Sequence, residues 1–162
     1  MTEHEPPVSR NLDSFDRAIL RVIQRDNKTP QRTIAQSVNL SAAAVQRRIA
    51  AMEAMGVVAR NVAIVDPDAA SVTITAIVEV HLRDERAATV DAAKALFRET
   101  PEVQQCFYVT GGVSFVLIIL APDMRSYSRL TRRLFAENDL VDRYRTLVAL
   151  DRVKTDTAIV IP

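Results

Sequence analysis

The sequence contains few of the residues from which catalytic and metal sites are usually built. Its 162 residues include one cysteine, two histidines, three glycines and no tryptophan. A single cysteine excludes an internal disulfide and a multi-cysteine zinc site. No glycine pattern matches a phosphate-binding loop, and no serine stands in a nucleophile elbow. We therefore expect a protein that is not an enzyme and that has no catalytic residues, no metal site and no cofactor.

The remaining polar candidates are more simply explained as structural residues. Cys106 lies on a predicted strand with no base near it in sequence, which indicates a small buried thiol. His81, close to Glu79 on another predicted strand, is expected to have a structural role. Three aspartates fit helix caps and loops better than paired catalytic acids: Asp123, Asp139 and Asp142.

A long apolar run and a secretory signal are also missing. The longest apolar run, at residues 113–121, is interrupted by Ser114 and is too short to cross a bilayer. The first ten residues are polar and contain two prolines, unlike a signal peptide. With 48% hydrophobic and 25% charged residues, the composition is that of a globular chain of one or two small domains. We expect a cytoplasmic protein with no membrane partner.

Residues 31–58 predict a helix-turn-helix. Ile34 and Val38 mark the apolar face of a first helix, which Thr29 is expected to cap. Asn39 tolerates the left-handed conformation that ends a helix, and Ser41 is a favourable N-cap for the next one. Two helices joined by so short a turn are typical of the motif that places its second helix in the major groove of DNA.

The outer face of the second helix is small and basic. Ala42 and Ala43 allow close approach to base edges, to which Gln46 and Arg47 can donate. Arg48 can reach a phosphate or pack back on the first helix. Basic residues outnumber acidic ones five to one between residues 28 and 60, although the net charge of the chain is only +1. An ordinary helical hairpin with a solvated basic face is the alternative. The residues predicted to contact double-stranded DNA are Lys28, Gln31, Arg32, Ser41, Ala42, Ala43, Gln46, Arg47, Arg48 and Arg60.

The remainder of the chain predicts an α+β domain with a ferredoxin-like βαββαβ order. Its first strand places Ala76, Val78 and Val80 on one face and Glu79 and His81 on the other. Gly111-Gly112 predicts a two-residue hairpin. The expected elements after the first strand are a helix at 86–100, strands at 103–110 and 113–120, a helix after Asp123 and a last strand at 141–153.

The predicted strand at 113–120 is apolar on both faces, although one face of an antiparallel sheet is usually solvated. A second copy of the chain would cover that face, which predicts a homodimer with twofold symmetry. The predicted organisation is a flexible tail at 1–11, a helix-turn-helix domain at 12–58, a β linker at 59–71, and a dimerisation and effector-sensing domain at 72–162.

Over nearly its whole length, from Leu12 onward, the chain resembles the Lrp/AsnC family of transcriptional regulators, also called feast/famine regulatory proteins. LDSFDRAIL is similar to the family's opening helix, and IAQSVNLSAAAVQRRIAAMEAMGVV to its DNA-binding helices. PEVQQCFYVTGG is similar to the second strand and glycine loop of its RAM domain. The resemblance implies a winged helix-turn-helix followed by a RAM domain. It also implies dimers that often assemble into tetramers or octamers, and an amino-acid or related effector bound between dimers.

The effector site implied by the resemblance comprises Gly111, Gly112, Val113, Ser114, Leu147 and Ala149. The family's loop usually carries an aspartate at the position of Ser114. Because charge-assisted contacts are stronger than neutral ones, an effector's ammonium group would be held less tightly here. The effector is therefore expected to be unusual, weakly bound or absent. An amino-acid response that Ser114→Asp creates or strengthens would support this site.

Two functions remain open from the sequence. The first is a sequence-specific regulator modulated by an amino acid or related metabolite. The second is a nucleoid-like architectural protein without an effector. Alanine at Gln46 and Arg47 should remove sequence discrimination in the first case and weaken all DNA binding uniformly in the second.

Overall fold

The computed structural model describes residues 11–162, so the predicted tail at 1–11 lies almost wholly outside the described residues. Contacts divide the chain into two compact units. The first runs to Ala63 and also includes Thr155–Pro162; the second is Ile64–Lys154. None of the helices in residues 11–162 has the length and apolarity needed to span a membrane.

The first unit contains the helix-turn-helix predicted from the sequence. Its helices are α1 (Ser14–Ile23), α2 (Gln31–Val38) and α3 (Ala42–Ala54). The Oγ of Ser41 accepts from the Ala44 amide at 3.1 Å, which confirms the predicted cap of α3. Asn39 ends α2 with φ 55°, in the left-handed region.

Two local predictions in this unit are wrong. Thr29 does not cap α2, because its hydroxyl donates to the carbonyl of Asp26 and Pro30 occupies the cap position. The β linker predicted at residues 59–71 contains no strand, since no partner strand lies beside it in the described chain. The amides of Val57 and Val58 donate to the carbonyl of Met52 and close the end of α3.

The segment Thr155–Pro162 packs on α1, although the sequence placed it in the second domain. The guanidinium of Arg21 donates to the carbonyls of Ile161 and Pro162 at 3.2 and 2.9 Å. The amide of Gln24 pairs with the backbone of Ile159 in both directions. No local pattern predicts this docking, because it depends on side-chain donors at the C-terminal end of α1 that meet carbonyls more than 130 residues away in sequence.

The second unit has the predicted βαββαβ order. A π-helical turn (Arg132–Ala136) continues the second of its helices. Its elements are β1 (Ile74–Leu82), α4 (Ala87–Glu99), β2 (Val103–Tyr108), β3 (Phe115–Ala121), α5 (Met124–Thr131) and β4 (Val141–Val148). The four strands form an antiparallel sheet in the order β2-β3-β1-β4. β4 is shorter than predicted because β1 begins at Ile74 and offers no partner beyond that point.

Both helices cover the same face of the sheet, as an α+β fold of this type predicts. Val78 and Val80 of β1 and Phe115 and Leu117 of β3 are completely buried on that face. The core on this side also takes in Phe97 of α4 together with Tyr127, Leu130 and Leu134. On the other face, the row Gln105, Ile118, Ile77 and Leu147 crosses all four strands. No element in the described residues covers this second face, which we call the open face.

Candidate DNA-binding surface and effector loop

The two sides of α3 differ sharply in exposure. Val45 and Met52 lie in the core of the first unit, whereas Gln46 and Arg47 are exposed. The predicted contact residues at the beginning of the helix, Ser41, Ala42 and Ala43, are also exposed. The fold therefore presents to solvent the face that the sequence assigned to base contacts, with small side chains at its N-terminal end.

The neighbouring predicted contacts divide into two groups. Lys28, Gln31 and Arg32 are exposed, and Gln31 lines the same groove as Gln46. Arg60 is exposed but lines a different cavity, formed by α1, residues 57–61 and the C-terminal segment. Gln31 thus borders the exposed surface of α3, whereas Arg60 lines a cavity that includes no residue of α3.

Arg48 contacts the beginning of α1 and the residue that caps it. Its Nη1 lies 2.7 Å from Oδ1 of Asp16 and 2.8 Å from Oδ2 of Asp13, and its guanidinium lies over the ring of Phe15. The hydrogen bond with Asp16, followed by that with Asp13, raises the pKa of Arg48. Of the two roles that the sequence left open, the structure shows packing on α1. The assignment of Arg48 as a DNA contact stays a prediction.

The same contacts predict an acid-sensitive first unit. The Asp16 amide, together with Arg48, lowers the pKa of Asp13 below 3.8. The ionised form is favoured by folding, so this stabilisation is present above the unfolded pKa and is lost as the pH falls through the lower folded pKa. We expect Asp13→Asn to flatten the acid limb of a melting-temperature profile below about pH 4. An unchanged slope would contradict this; Asp142→Asn, at an exposed position of the other unit, is the control.

The connection between β2 and β3 is longer than the predicted two-residue hairpin. It spans residues 109–114 and is closed by the Val109 amide, which donates to the carbonyl of Ser114 at 3.0 Å. The Ser114 amide donates to the carbonyl of Val80 in β1. Ser114 is therefore held against the sheet and does not lie at the tip of the turn. Gly111 and Gly112 have φ values of +107° and +94°, and no atom outside the adjoining residues lies within 4 Å of where their Cβ atoms would be. The loop, called the glycine loop below, therefore borders open space.

Ser114 itself does not face that space. Its side chain is buried, and its Oγ accepts from the Leu82 amide at 3.0 Å and donates to Oε1 of Glu85 at 2.5 Å. The hydroxyl of Tyr108 donates to Oε2 of Glu85 at 2.9 Å, and this hydrogen bond is the main cause of the raised pKa of Tyr108. The expectation that Ser114 contacts an effector directly is corrected, since its side chain holds Glu85 at the base of the glycine loop.

Leu147 and Ala149, the other part of the predicted effector site, lie elsewhere on the sheet. Leu147 is opposite Ile77, which is opposite Ile118 of β3, and the Ala149 amide donates to Thr75. Leu147 lies two strands away from β3, at the level of Ile118, which is four residues from Ser114. At standard strand spacings, Leu147 and Ser114 are therefore roughly 16 Å apart. One chain therefore does not bring the two groups together. Val113, in contrast, is partly buried within the glycine loop.

The remaining polar candidates lie on the sheet. Cys106 is exposed, and the prediction of a buried thiol is wrong because β2 is an edge strand. On the open face, Glu79 pairs with Arg145 at 2.8 Å and His81 lies 3.5 Å from Arg143. Across residues 11–162, the acidic, cysteine and histidine side chains form no group able to hold a metal ion.

Comparisons with known proteins agree with both units. Residues 12–59 match the family model for winged helix-turn-helix DNA-binding domains, and residues 75–159 match the Lrp/AsnC ligand binding domain. An uncharacterised HTH-type transcriptional regulator of Sinorhizobium fredii is 41% identical over 91% of this chain and 88% of its own length.

Solved structures show the same architecture. An AsnC family transcriptional regulator from Agrobacterium tumefaciens superimposes with a TM-score of 0.85 at 28% identity, covering 91% of this chain and 96% of that one. A transcriptional regulator from Neisseria meningitidis, solved in complex with L-methionine, gives 0.84 at 26% identity with the same coverage. Together with the matches over both units, these similarities show that the chain belongs to the Lrp/AsnC family of DNA-binding transcriptional regulators.

Proposed function

We propose that the protein acts as a homodimer joined through the open face, and that its two α3 helices bind successive half-sites of double-stranded DNA. The composition of the open face supports this assembly. Ile77 and Ile118 form its centre, and Phe107 and Leu147 are 51% and 47% exposed in the single chain. A second copy of the same sheet would remove this apolar surface from water. Two heads would then meet half-sites about 34 Å apart, or a multiple of that distance.

The exposure of Gln46 and Arg47 on α3 supports the proposed mode of DNA recognition. Gln46 can make a bidentate contact to adenine and Arg47 one to guanine. Lys28, three residues before α2, and Arg32, in its first turn, are both exposed and would bind backbone phosphates. Arg48 supports this surface indirectly, because its ion pairs with Asp13 and Asp16 tie α3 to α1.

Alanine variants of α3 test this mode. A duplex selected by the wild-type protein from a random pool is compared with a scrambled duplex at several salt concentrations. We expect Gln46→Ala and Arg47→Ala each to lose about 1–3 kcal/mol of discrimination between the duplexes. Arg32→Ala should weaken binding to both equally and reduce the salt slope by about 1.

Arg98→Ala is the matched control, since Arg98 is an exposed arginine of the second unit. Equal losses on both duplexes for Gln46→Ala and Arg47→Ala would contradict sequence-specific recognition. That outcome would favour the architectural function instead.

We further propose that an amino acid or a related metabolite binds at the glycine loop and changes how dimers assemble into tetramers or octamers. Two observations support the loop as the site. Space is open above Gly111 and Gly112, and within the described chain the amides of Gly111, Gly112 and Val113 donate no hydrogen bond. These amides can donate hydrogen bonds to an effector's carboxylate. Leu147 and Ala149 of another copy would complete the site between dimers, and the assembly would set how many heads engage one DNA segment.

A further inference from the structure

We propose that Glu85 is the residue that binds the ammonium group of the effector at the glycine loop. This inference rests on the proposed effector function and assigns the ligand class, α-amino acids with a free ammonium group, to a particular carboxylate. Glu85 precedes α4 and is exposed, whereas the partners of its two oxygens come from β2 and from the base of the loop.

The contacts of Glu85 orient its charge without neutralising it. Oε1 accepts from Ser114 and Oε2 accepts from Tyr108, and both donors are neutral hydroxyls. Each carboxylate oxygen can accept a second hydrogen bond, so acceptor capacity remains on both. Among the ion pairs of residues 11–162, none involves Glu85. An exposed, fixed and unpaired carboxylate is the group that an ammonium ion binds through charge-assisted hydrogen bonds.

The surroundings hold Glu85 at the loop. Ser114 is fixed by two hydrogen bonds: its Oγ accepts from the Leu82 amide, and its own amide donates to the carbonyl of Val80. It directly follows Gly112 and Val113 in the chain. Ser114 is thus a positioning residue for Glu85. The neighbouring cation, Lys94, lies over the ring of Tyr108 and 3.7 Å from Asp91, so it is occupied by other partners.

The loop and Glu85 together match the two charged groups of an α-amino acid. The free amides of Gly111, Gly112 and Val113 suit its carboxylate, and Glu85 suits its ammonium group. A ligand with its nitrogen acetylated keeps the carboxylate and side chain but loses the charge that Glu85 would bind. Comparison of the two ligands therefore isolates the contribution of Glu85.

The experiment begins with the full-length wild-type protein and a thermal-shift screen of the standard L-amino acids at millimolar concentration. The tightest binder and its N-acetyl derivative are then titrated by calorimetry into wild-type protein and Glu85→Gln. We expect Glu85→Gln to weaken binding of the amino acid by about tenfold to a hundredfold. The N-acetyl derivative should bind both proteins equally weakly.

The outcomes separate this inference from the function on which it rests. If no amino acid binds the wild-type protein, the proposed effector function fails and Glu85 has no such role. If the wild type binds an amino acid and Glu85→Gln binds it with the same affinity, the assignment of Glu85 is wrong while the effector function stands.

Two further variants distinguish a specific loss of amino-acid binding from a general loss of folding. Tyr108→Phe keeps the charge but removes one orienting hydroxyl, so it should weaken amino-acid binding less than Glu85→Gln does. Glu99→Gln, which removes an exposed carboxylate at the other end of α4, should have no effect. Glu85→Gln could also bind DNA more weakly and melt at a lower temperature, which would indicate a general loss of folding. In that case Tyr108→Phe tests the proposal, and unchanged amino-acid binding by that variant would overturn it.

Discussion

Replacing Ile118 by arginine is expected to convert the proposed dimer into monomers of 18.0 kDa. Ile118 lies in the middle of the open face, between Gln105 of β2 and Ile77 of β1. In a dimer an arginine here would be buried without a partner, whereas in a monomer it would be solvated, so the substitution selects the monomer. Light scattering after size exclusion measures the change directly.

Loss of the dimer should have a large effect on DNA binding. A dimer engages the second half-site as an intramolecular event, which can raise the apparent affinity by about 10²–10⁴. We therefore expect Ile118→Arg to lose affinity of that order for a duplex with two half-sites and to keep its affinity for a single half-site. Binding curves on the two duplexes test this.

Met124→Arg provides the matched control, because Met124 is an exposed apolar residue at the beginning of α5. It should leave both the mass and the binding curves unchanged. A dimeric Ile118→Arg protein would place the interface elsewhere. If Ile118→Arg is monomeric and keeps its affinity for the duplex with two half-sites, the proposal that dimerisation strengthens DNA binding is wrong.

The elements with strong local signals were predictable from the sequence. The caps at Ser41 and Asp123, the left-handed Asn39 and the alternation along β1 each depend on a few adjacent residues. The sequence of β3 is apolar on both faces, and this alone indicates that one face of the sheet is left uncovered within the chain. Local propensity and binary patterning therefore sufficed for the order of elements and for the recognition helix.

The contacts that define the candidate effector site could not be predicted in this way. The sequence does not point to Glu85 or Tyr108, because nothing in either local sequence indicates that Tyr108 and Ser114 both donate to Glu85. The structure also reverses the expectation for Ser114→Asp. A buried second carboxylate would face Glu85 at hydrogen-bond distance, and like charges so placed disfavour the ionised forms. We therefore expect that substitution to lower stability rather than to create an amino-acid response.

Phe97→Ala is expected to cost the second unit about 3–5 kcal/mol in free energy of unfolding. The Phe97 side chain is 1% exposed and makes edge contacts with the rings of Phe115, at 5.3 Å between centroids, and Phe135, at 6.1 Å. Truncation removes its buried surface, leaves a cavity between α4 and the sheet, and breaks two aromatic contacts.

Urea denaturation followed by tyrosine fluorescence measures this cost within one unit. The chain has three tyrosines and no tryptophan, and all three tyrosines lie in the second unit. Phe15→Ala, a truncation in the first unit, should leave the tyrosine transition unchanged. A loss below about 1 kcal/mol for Phe97→Ala would mean that neighbouring side chains refill the space, contrary to the close packing described here.

The same truncation connects core packing to the effector loop. Phe115 follows Ser114 directly, and its ring also contacts Tyr108 at 5.1 Å between centroids, so the aromatic cluster around Phe97 supports both hydroxyls that hold Glu85. At urea concentrations where Phe97→Ala remains folded, we expect amino-acid binding to be weakened along with stability. Binding that survives unchanged would show that the glycine loop holds Glu85 without help from the core beneath it.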